Sequence, residues 1–148
     1  MYVAEAIPNY ARDKVRSLQW PEASALRLAQ EAFDKLLPQG VATPNNHFFT
    51  ICDPATPTGV GMIWFAVKQR ESGKIAFVYD VLIKPKFQRM GYATSAFAAL
   101  EKEASSRGLW GIALHVFGHN VAARALYDKL GYQPTNINMF KQVRSANA

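Results

Sequence analysis

Cysteine is nearly missing from this 148-residue chain: Cys52 stands alone. A single thiol excludes an internal disulfide and a cysteine metal cluster, and it favours a reducing compartment, so a cytoplasmic location is expected. Long apolar runs are missing too. None approaches the roughly 20 residues of a membrane helix, and no charged-then-apolar segment near Met1 reads as a signal peptide. Acidic residues are scarce: 11 Asp and Glu face 17 Lys and Arg, for a net charge of +6. That balance suits a polyanionic ligand, nucleic acid or an acidic surface, or a merely solvated exterior. The three histidines, His47, His115 and His119, lack metal-ligand spacing, so no metal is expected. Repeats, low-complexity tracts and long linkers are absent as well, which predicts one domain over residues 1–148.

What is there alternates between two periods. Apolar residues recur at helical spacing from about Ala4 to Leu18 and from Pro21 to Leu37, where Pro38-Gln39-Gly40 stops the pattern. Short β-prone runs follow at His47–Cys52, Val60–Val67 and Lys74–Lys84, with turn-rich Asp53–Gly59 and Gln69–Gly73 between them. The third run, KIAFVYDVLIK, is nearly continuous in apolar residues and reads as a central strand covered on both faces. Pro85 ends it. A helix is expected from Gly91 to Ser106, with Ala93, Ala96, Phe97, Leu100 and Ala104 inward. A strand should follow at Trp110–Phe117, then a helix at Asn120–Leu130, then a last strand or hairpin at Tyr132–Val143. Strand–helix–strand in the middle requires parallel pairing, so the expected fold is a mixed α/β sheet flanked by helices.

The stretch KPKFQRMGYAT, Lys84–Thr94, sits between the central strand and a helix. The first amides of a helix have no internal partner, and its dipole places partial positive charge there. Gly91 and Ala93 let a ligand approach the backbone, and Lys86 and Arg89 add charge, so a phosphate or pyrophosphate fits. A plain helix start reads the same way. Neither the Gly-Lys-Ser/Thr phosphate loop nor the three-glycine dinucleotide pattern is present.

Gln88-Arg-Met-Gly91-Tyr-Ala93, after a strand ending in Ile83-Lys-Pro85, resembles the acetyl-CoA signature of the GNAT superfamily of N-acetyltransferases. Leu114-His-Val116, Asn120, Ala123, Leu126, Tyr127 and Leu130-Gly131-Tyr132 resemble the superfamily's second CoA-side motif. The two occur in the right order at the right separation. The resemblance implies an acetyl-CoA-dependent N-acetyltransferase that passes the acetyl group directly to a primary amine through a tetrahedral intermediate. It implies that backbone at Leu82 and Ile83 holds the pantetheine arm and polarises the thioester carbonyl. Amides of Gln88, Arg89, Met90, Gly91, Tyr92, Ala93 and Thr94 would take the pyrophosphate.

Asn120 and Tyr127 are seven residues apart, about two turns, with Ala123 and Arg124 between them on one face. The resemblance places Asn120 on the pantetheine and Tyr127 beside the thioester sulfur, where a phenol can donate a proton to the departing thiolate. A core aromatic is the plainer role for Tyr127. Asp80 stands in an otherwise apolar strand, where a carboxylate is costly unless paired or functional. It is a candidate base, or a satisfied carboxylate orienting a neighbour. His115 reads as a packed core histidine and His119 as a shaper of the turn; Cys52 is not expected to form an acyl-enzyme.

Three departures from the superfamily pattern stand out. The usual first strand has no counterpart at Met1-Tyr-Val-Ala-Glu, which would leave a sheet edge open or invite a partner. Met90 replaces a basic or small residue, and Phe77 and Val78 replace an earlier glutamate. The acceptor is expected to be a small-molecule or peptide amine, met by Tyr10, Trp20, Phe33, Asn136, Asn138 and Met139. No membrane is implied, nucleic acid is not the expected partner, and a homodimer stays open. The alternative is a non-catalytic module of the same fold that binds CoA or an acidic partner.

Overall fold

The computed structural model describes residues 2–144, apart from the side chains of Thr56 and Pro57. Two helices come first, α1 (Tyr2–Arg16) and α2 (Glu22–Leu36). Strands β1 (Asn46–Asp53), β2 (Thr56–Arg70) and β3 (Gly73–Ile83) follow, then α3 (Tyr92–Ser106), β4 (Gly111–Leu114) and α4 (Val121–Lys129). The residues fall into two compact units: 33–116, and those up to 32 together with those from 117 onward. Among the described residues no helix is long and apolar enough to cross a membrane.

In the unit of residues 33–116 the four strands lie in the order β1-β2-β3-β4. The first three pair antiparallel; β3 and β4 pair parallel, with α3 as the crossover the sequence demanded. β3 is therefore an inner strand, as expected, although only Ile75, Ala76 and Val78 are fully buried in it. Helix α3 buries Ala96, Phe97, Leu100 and Ala104. On one sheet face Phe48, Trp64 and Tyr79 stack at centroid distances of 5.3 and 4.6 Å, and Phe33 tilts onto Trp64 at 5.9 Å. The indole N–H of Trp64 donates to Asn46 Oδ1 at 2.9 Å, so this ring is buried with its polar atom satisfied.

Strand β2 begins at Thr56, inside the stretch expected to be all turn. The hairpin is tight because Asp53 Oδ1 accepts the Ala55 amide at 2.7 Å, an Asx-type closure that shortens the loop. Strand β4 stops at Leu114, three residues earlier than expected. His115, expected in the core, is exposed just beyond that end.

In the other unit α1 buries Ala6, Ile7 and Ala11, and α2 buries Ala25 and Ala29. Tyr10 meets Trp20 edge-on at 5.6 Å, and the Lys14 ammonium lies over both rings at 5.6 and 5.2 Å. The strand or hairpin expected at Tyr132–Val143 does not form: no described residue after α4 is in a strand, and residues 133–144 are exposed. Alternation makes a segment able to form a strand, but a strand exists only where a neighbour accepts its hydrogen bonds.

Candidate active site

Strand β3 prepares the site through a bulge. Phe65 pairs with Val78 but Trp64 with Asp80, so Tyr79 is an extra residue in the ladder. A bulge bends its strand and re-aims side chains. Asp80 thereby shares the sheet face of Trp64 and stays half-buried, a milder setting than the apolar run suggested. The parallel pairing to β4 ends at the same place, with Val78 opposite Leu114. From Tyr79 to Ile83 strand β3 is paired to β2 alone, and its other edge opens as a splay.

The main-chain groups along that edge follow from alternation. The Lys84 amide donates to Val60 C=O at 2.9 Å, which fixes the phase of the antiparallel ladder. Leu82 is then turned toward Met62 on β2, while Val81 and Ile83 face the splay. The main-chain groups of Leu82 and Ile83, expected together at the pantetheine arm, thus face opposite edges of the strand, a phase that is invisible until the partner strand is known. Gly61 allows the close approach of the two strands, since a Cβ there would sit 2.1 Å from the Leu82 carbonyl oxygen.

Beyond Ile83 the chain makes a 3₁₀ turn, Pro85–Phe87, and Gln88 Nε2 donates to Ile83 C=O at 3.0 Å, holding the turn against the strand end. Arg89 and Gly91 have φ of 62° and 83°. Gly91 caps α3 in the left-handed conformation, without any side-chain cap. The first intrahelical bond is Ser95 N–H to Gly91 C=O, at 3.0 Å, so the amides of Tyr92, Ala93 and Thr94 come before it. A Cβ on Gly91 would meet nothing within 4 Å, so the space beside this residue is open. Lys86, Gln88, Arg89 and Met90 are exposed around them. Lys86 lies over the Phe87 ring at 5.1 Å.

Tyr92 adds an anchor that sequence reasoning missed. Its hydroxyl donates to Asp53 Oδ2 at 2.8 Å, tying the first turn of α3 to the β1–β2 hairpin. The Ala55 amide and then the Tyr92 hydroxyl hold the Asp53 carboxyl below its usual range, and the same carboxylate raises the Tyr92 phenol. Between β1 and α3 lies an apolar groove of about 270 Å³, walled by Phe49, Ile51, Cys52, Ser95 and Ala99. Of the expected site residues only Tyr92 reaches it. His47 stacks on Phe65 at 5.0 Å, and burial followed by the charge of Arg107 lowers its pKa.

The second group of expected residues lies on α4. Asn120 is its N-cap, with Oδ1 accepting the Ala123 amide at 3.2 Å. Arg124 Nη1 donates to Gly118 C=O at 3.1 Å. Asn120, Ala123 and Arg124 thus cooperate in starting the helix. Tyr127 is half-buried and meets Tyr132 edge-on at 5.7 Å. Just before the cap, His119 Nε2 lies 2.8 Å from Asp13 Oδ1, and the imidazole stacks on Phe117 at 5.4 Å. No local signal pointed to Asp13, which lies 106 residues from its partner. Among the described residues no group of three or more His, Cys, Asp or Glu could hold a metal ion.

Comparison with known proteins places this geometry. Residues 12–132 match the model of the Acetyltransferase (GNAT) family. The chain is 34% identical over 142 residues to the "uncharacterized N-acetyltransferase YycN" of Bacillus subtilis (strain 168), covering 96% of this chain and 90% of that one. The crystal structure of that acetyltransferase superposes with a TM-score of 0.90 at 33% identity, over 97% of this chain and 91% of the other. An aminoglycoside N-acetyltransferase crystallised with CoA shares the fold at a TM-score of 0.59 and 17% identity, over 78% of this chain and 91% of that one. The mixed sheet flanked by helices is shared with these acetyltransferase structures, and the chain belongs to the acetyltransferase (GNAT) family.

Proposed function

We propose that residues 1–148 act as one N-acetyltransferase domain, working in the cytoplasm, that moves the acetyl group of acetyl-CoA directly to a primary amine. The observation that carries this reading is the sequence of splay, tight turn and uncapped helix start along Tyr79–Thr94. The residues present fit the carrier. The exposed Gly91 backbone and the amides of Tyr92, Ala93 and Thr94 suit a diphosphate, with Gln88, Arg89 and Met90 at its rim.

The edge of β3 past Val78 suits the pantetheine arm, which is amide-rich and would pair as a strand does. The amides of Val81 and Ile83 are the donors placed to polarise a thioester carbonyl, and donors aimed at a developing oxyanion stabilise the transition state more than the ground state. Asn120 with Ala123 and Arg124 is assigned to the pantetheine on family resemblance. Tyr127 is assigned, on the same ground, as the acid that protonates the departing thiolate. Asp80, half-buried on the bulge, is the candidate that accepts the amine's proton directly or through water. The acceptor class is a small-molecule or peptide amine. Cys52 is exposed and no acyl-enzyme step through it is invoked.

Two measurements test this. Acetyl-CoA at a hundred times its dissociation constant should raise unfolding stability by about 2.7 kcal/mol. Release of free thiol across an amine library should then identify an acceptor. Stabilisation without turnover on any amine would favour a non-catalytic CoA-binding module instead. For the acid, Tyr127→Phe should lower kcat about 100-fold with acetyl-CoA affinity unchanged. An unchanged kcat, where chemistry limits the rate, would remove Tyr127 from that role.

A further inference from the structure

The turn that leads into α4 is held from two directions. It closes on itself, with the Asn120 amide donating to Phe117 C=O at 2.9 Å. Arg124, one turn into the helix, adds the bond from Nη1 to Gly118 C=O at 3.1 Å. The second hold comes from α1, in the same compact unit. His119 Nε2 lies 2.8 Å from Asp13 Oδ1. An ionised carboxylate only accepts, so the imidazole carries a proton on Nε2 and donates it. The ring also stacks on Phe117, nearly parallel at 17°. Phe117 in turn meets Tyr10, three residues before Asp13 on α1, at 6.2 Å.

Stability alone is a poor account of this arrangement. The His119 side chain is 18% exposed and that of Asp13 44%. A pair this open to water contributes little to folding. What it does fix is direction: with one face on Phe117 and Nε2 on Asp13, the imidazole is locked, and the backbone of His119 with it. The next residue is Asn120, whose φ and ψ of −85° and 76° let its Oδ1 accept the Ala123 amide at 3.2 Å. A side-chain amide whose oxygen is engaged in this way keeps the two N–H donors of Nδ2 for a ligand.

We propose that Asp13 and His119 are positioning residues for acetyl-CoA. Their hydrogen bond sets the Phe117–Asn120 turn in the arrangement where Asn120 caps α4 with its oxygen and offers its nitrogen to a carbonyl of the pantetheine arm. This rests on the assignment of Asn120 to that arm and adds what holds Asn120 ready. Asp13 acts through His119, and His119 acts through Asn120. A donor fixed in place beforehand avoids the ordering cost that a mobile one incurs on binding.

Calorimetry with acetyl-CoA on the full-length chain tests the chain of contacts. His119→Ala and Asp13→Ala should each weaken binding about 5-fold, the scale of ordering one side chain. The double substitution should weaken it no more than either alone, because both act through one bond. His119→Gln, whose Nε2 can reach Asp13 as the imidazole Nε2 does, should restore affinity to within about 2-fold of the unsubstituted chain. In an Asn120→Ala background, His119→Ala should cost nothing further. The unliganded chain gives a separate signature: the Ala123 amide resonance should move in both alanine variants and return in His119→Gln. Far-ultraviolet dichroism should be retained throughout, and the more exposed Asp13 keeps the test usable if His119→Ala does not fold. Unchanged affinity in the alanine variants, with Asn120→Ala still weakening binding, would overturn the proposal and leave the assignment of Asn120 standing. Asn120→Ala without effect on affinity would remove that assignment and the proposal with it. A loss that persists in the Asn120→Ala background, or that glutamine does not repair, would overturn the proposal too.

Discussion

Helices α3 and α4 begin in opposite ways. At α4 the Asn120 side chain turns back and accepts the Ala123 amide, so the helix satisfies part of its own start. At α3 the cap is Gly91, left-handed and without a side chain, so no side chain caps the amides of Tyr92 to Thr94, and the space beside Gly91 is open. Both starts follow a strand and both were read as ligand-binding from the sequence. On the proposed reading, the difference teaches that an anion site is made by withholding a cap. A helix that closes its own amides has given up most of what an external phosphate would gain.

Substitutions that exchange these two conditions should separate them. Gly91→Asp brings a carboxylate to the uncapped start of α3. Two like charges about 4 Å apart near a protein surface repel by several kcal/mol before screening, so acetyl-CoA affinity measured by calorimetry should fall about 100-fold. Unchanged affinity would show that the diphosphate lies elsewhere.

Gly61→Ala acts one layer down. Its Cβ would fall 2.1 Å from the Leu82 carbonyl oxygen, so β2 and β3 must part at the end of β3. A loss of about 1–3 kcal/mol in chemical denaturation is expected for such overpacking.

Asn120→Ala removes the α4 cap and should cost about 1 kcal/mol of stability. Losing its assigned hold on the pantetheine should also weaken acetyl-CoA binding, by less than Gly91→Asp does. Unchanged affinity would leave Asn120 as a helix cap alone.

The smallest effect concerns Tyr92. Its hydrogen bond helps keep the Asp53 carboxyl low, behind the Ala55 amide. A carboxyl lowered on folding stabilises the fold above its unfolded pKa, and that contribution fades as pH falls through the lowered folded value. Tyr92→Phe should therefore move the Asp53 titration upward, toward the ordinary carboxylate range. Carbon-detected nuclear magnetic resonance of the carboxyl would show it, and an unmoved titration would mean the hydroxyl is not its partner in solution.

Much of this was legible in the sequence because it is local. The period change at His47, the stop at Pro85, the glycine before α3 and the cap before α4 are all set by residues within a turn of one another. So was the order of strands and helices, and with it the mixed sheet. What stayed hidden depends on partners far along the chain. The Tyr92–Asp53 bond spans 39 residues and the His119–Asp13 contact 106. The bulge at Tyr79 is a relation between two strands, and it decides that Val81, rather than Leu82, faces the splay. Residues 133–144 failed in the reverse sense: the alternation was there, but among the described residues no neighbour completes the strand.

The most direct measurement follows the backbone amides of the isotope-labelled chain while acetyl-CoA is added. Binding at the α3 start should displace the signals of Ile83 and of Gln88 to Thr94 first and furthest, with those along β1 and the α3 groove still. Saturable shifts confined to that groove, with Gly91, Tyr92, Ala93 and Thr94 unmoved, would contradict the assignment of the carrier to the uncapped helix.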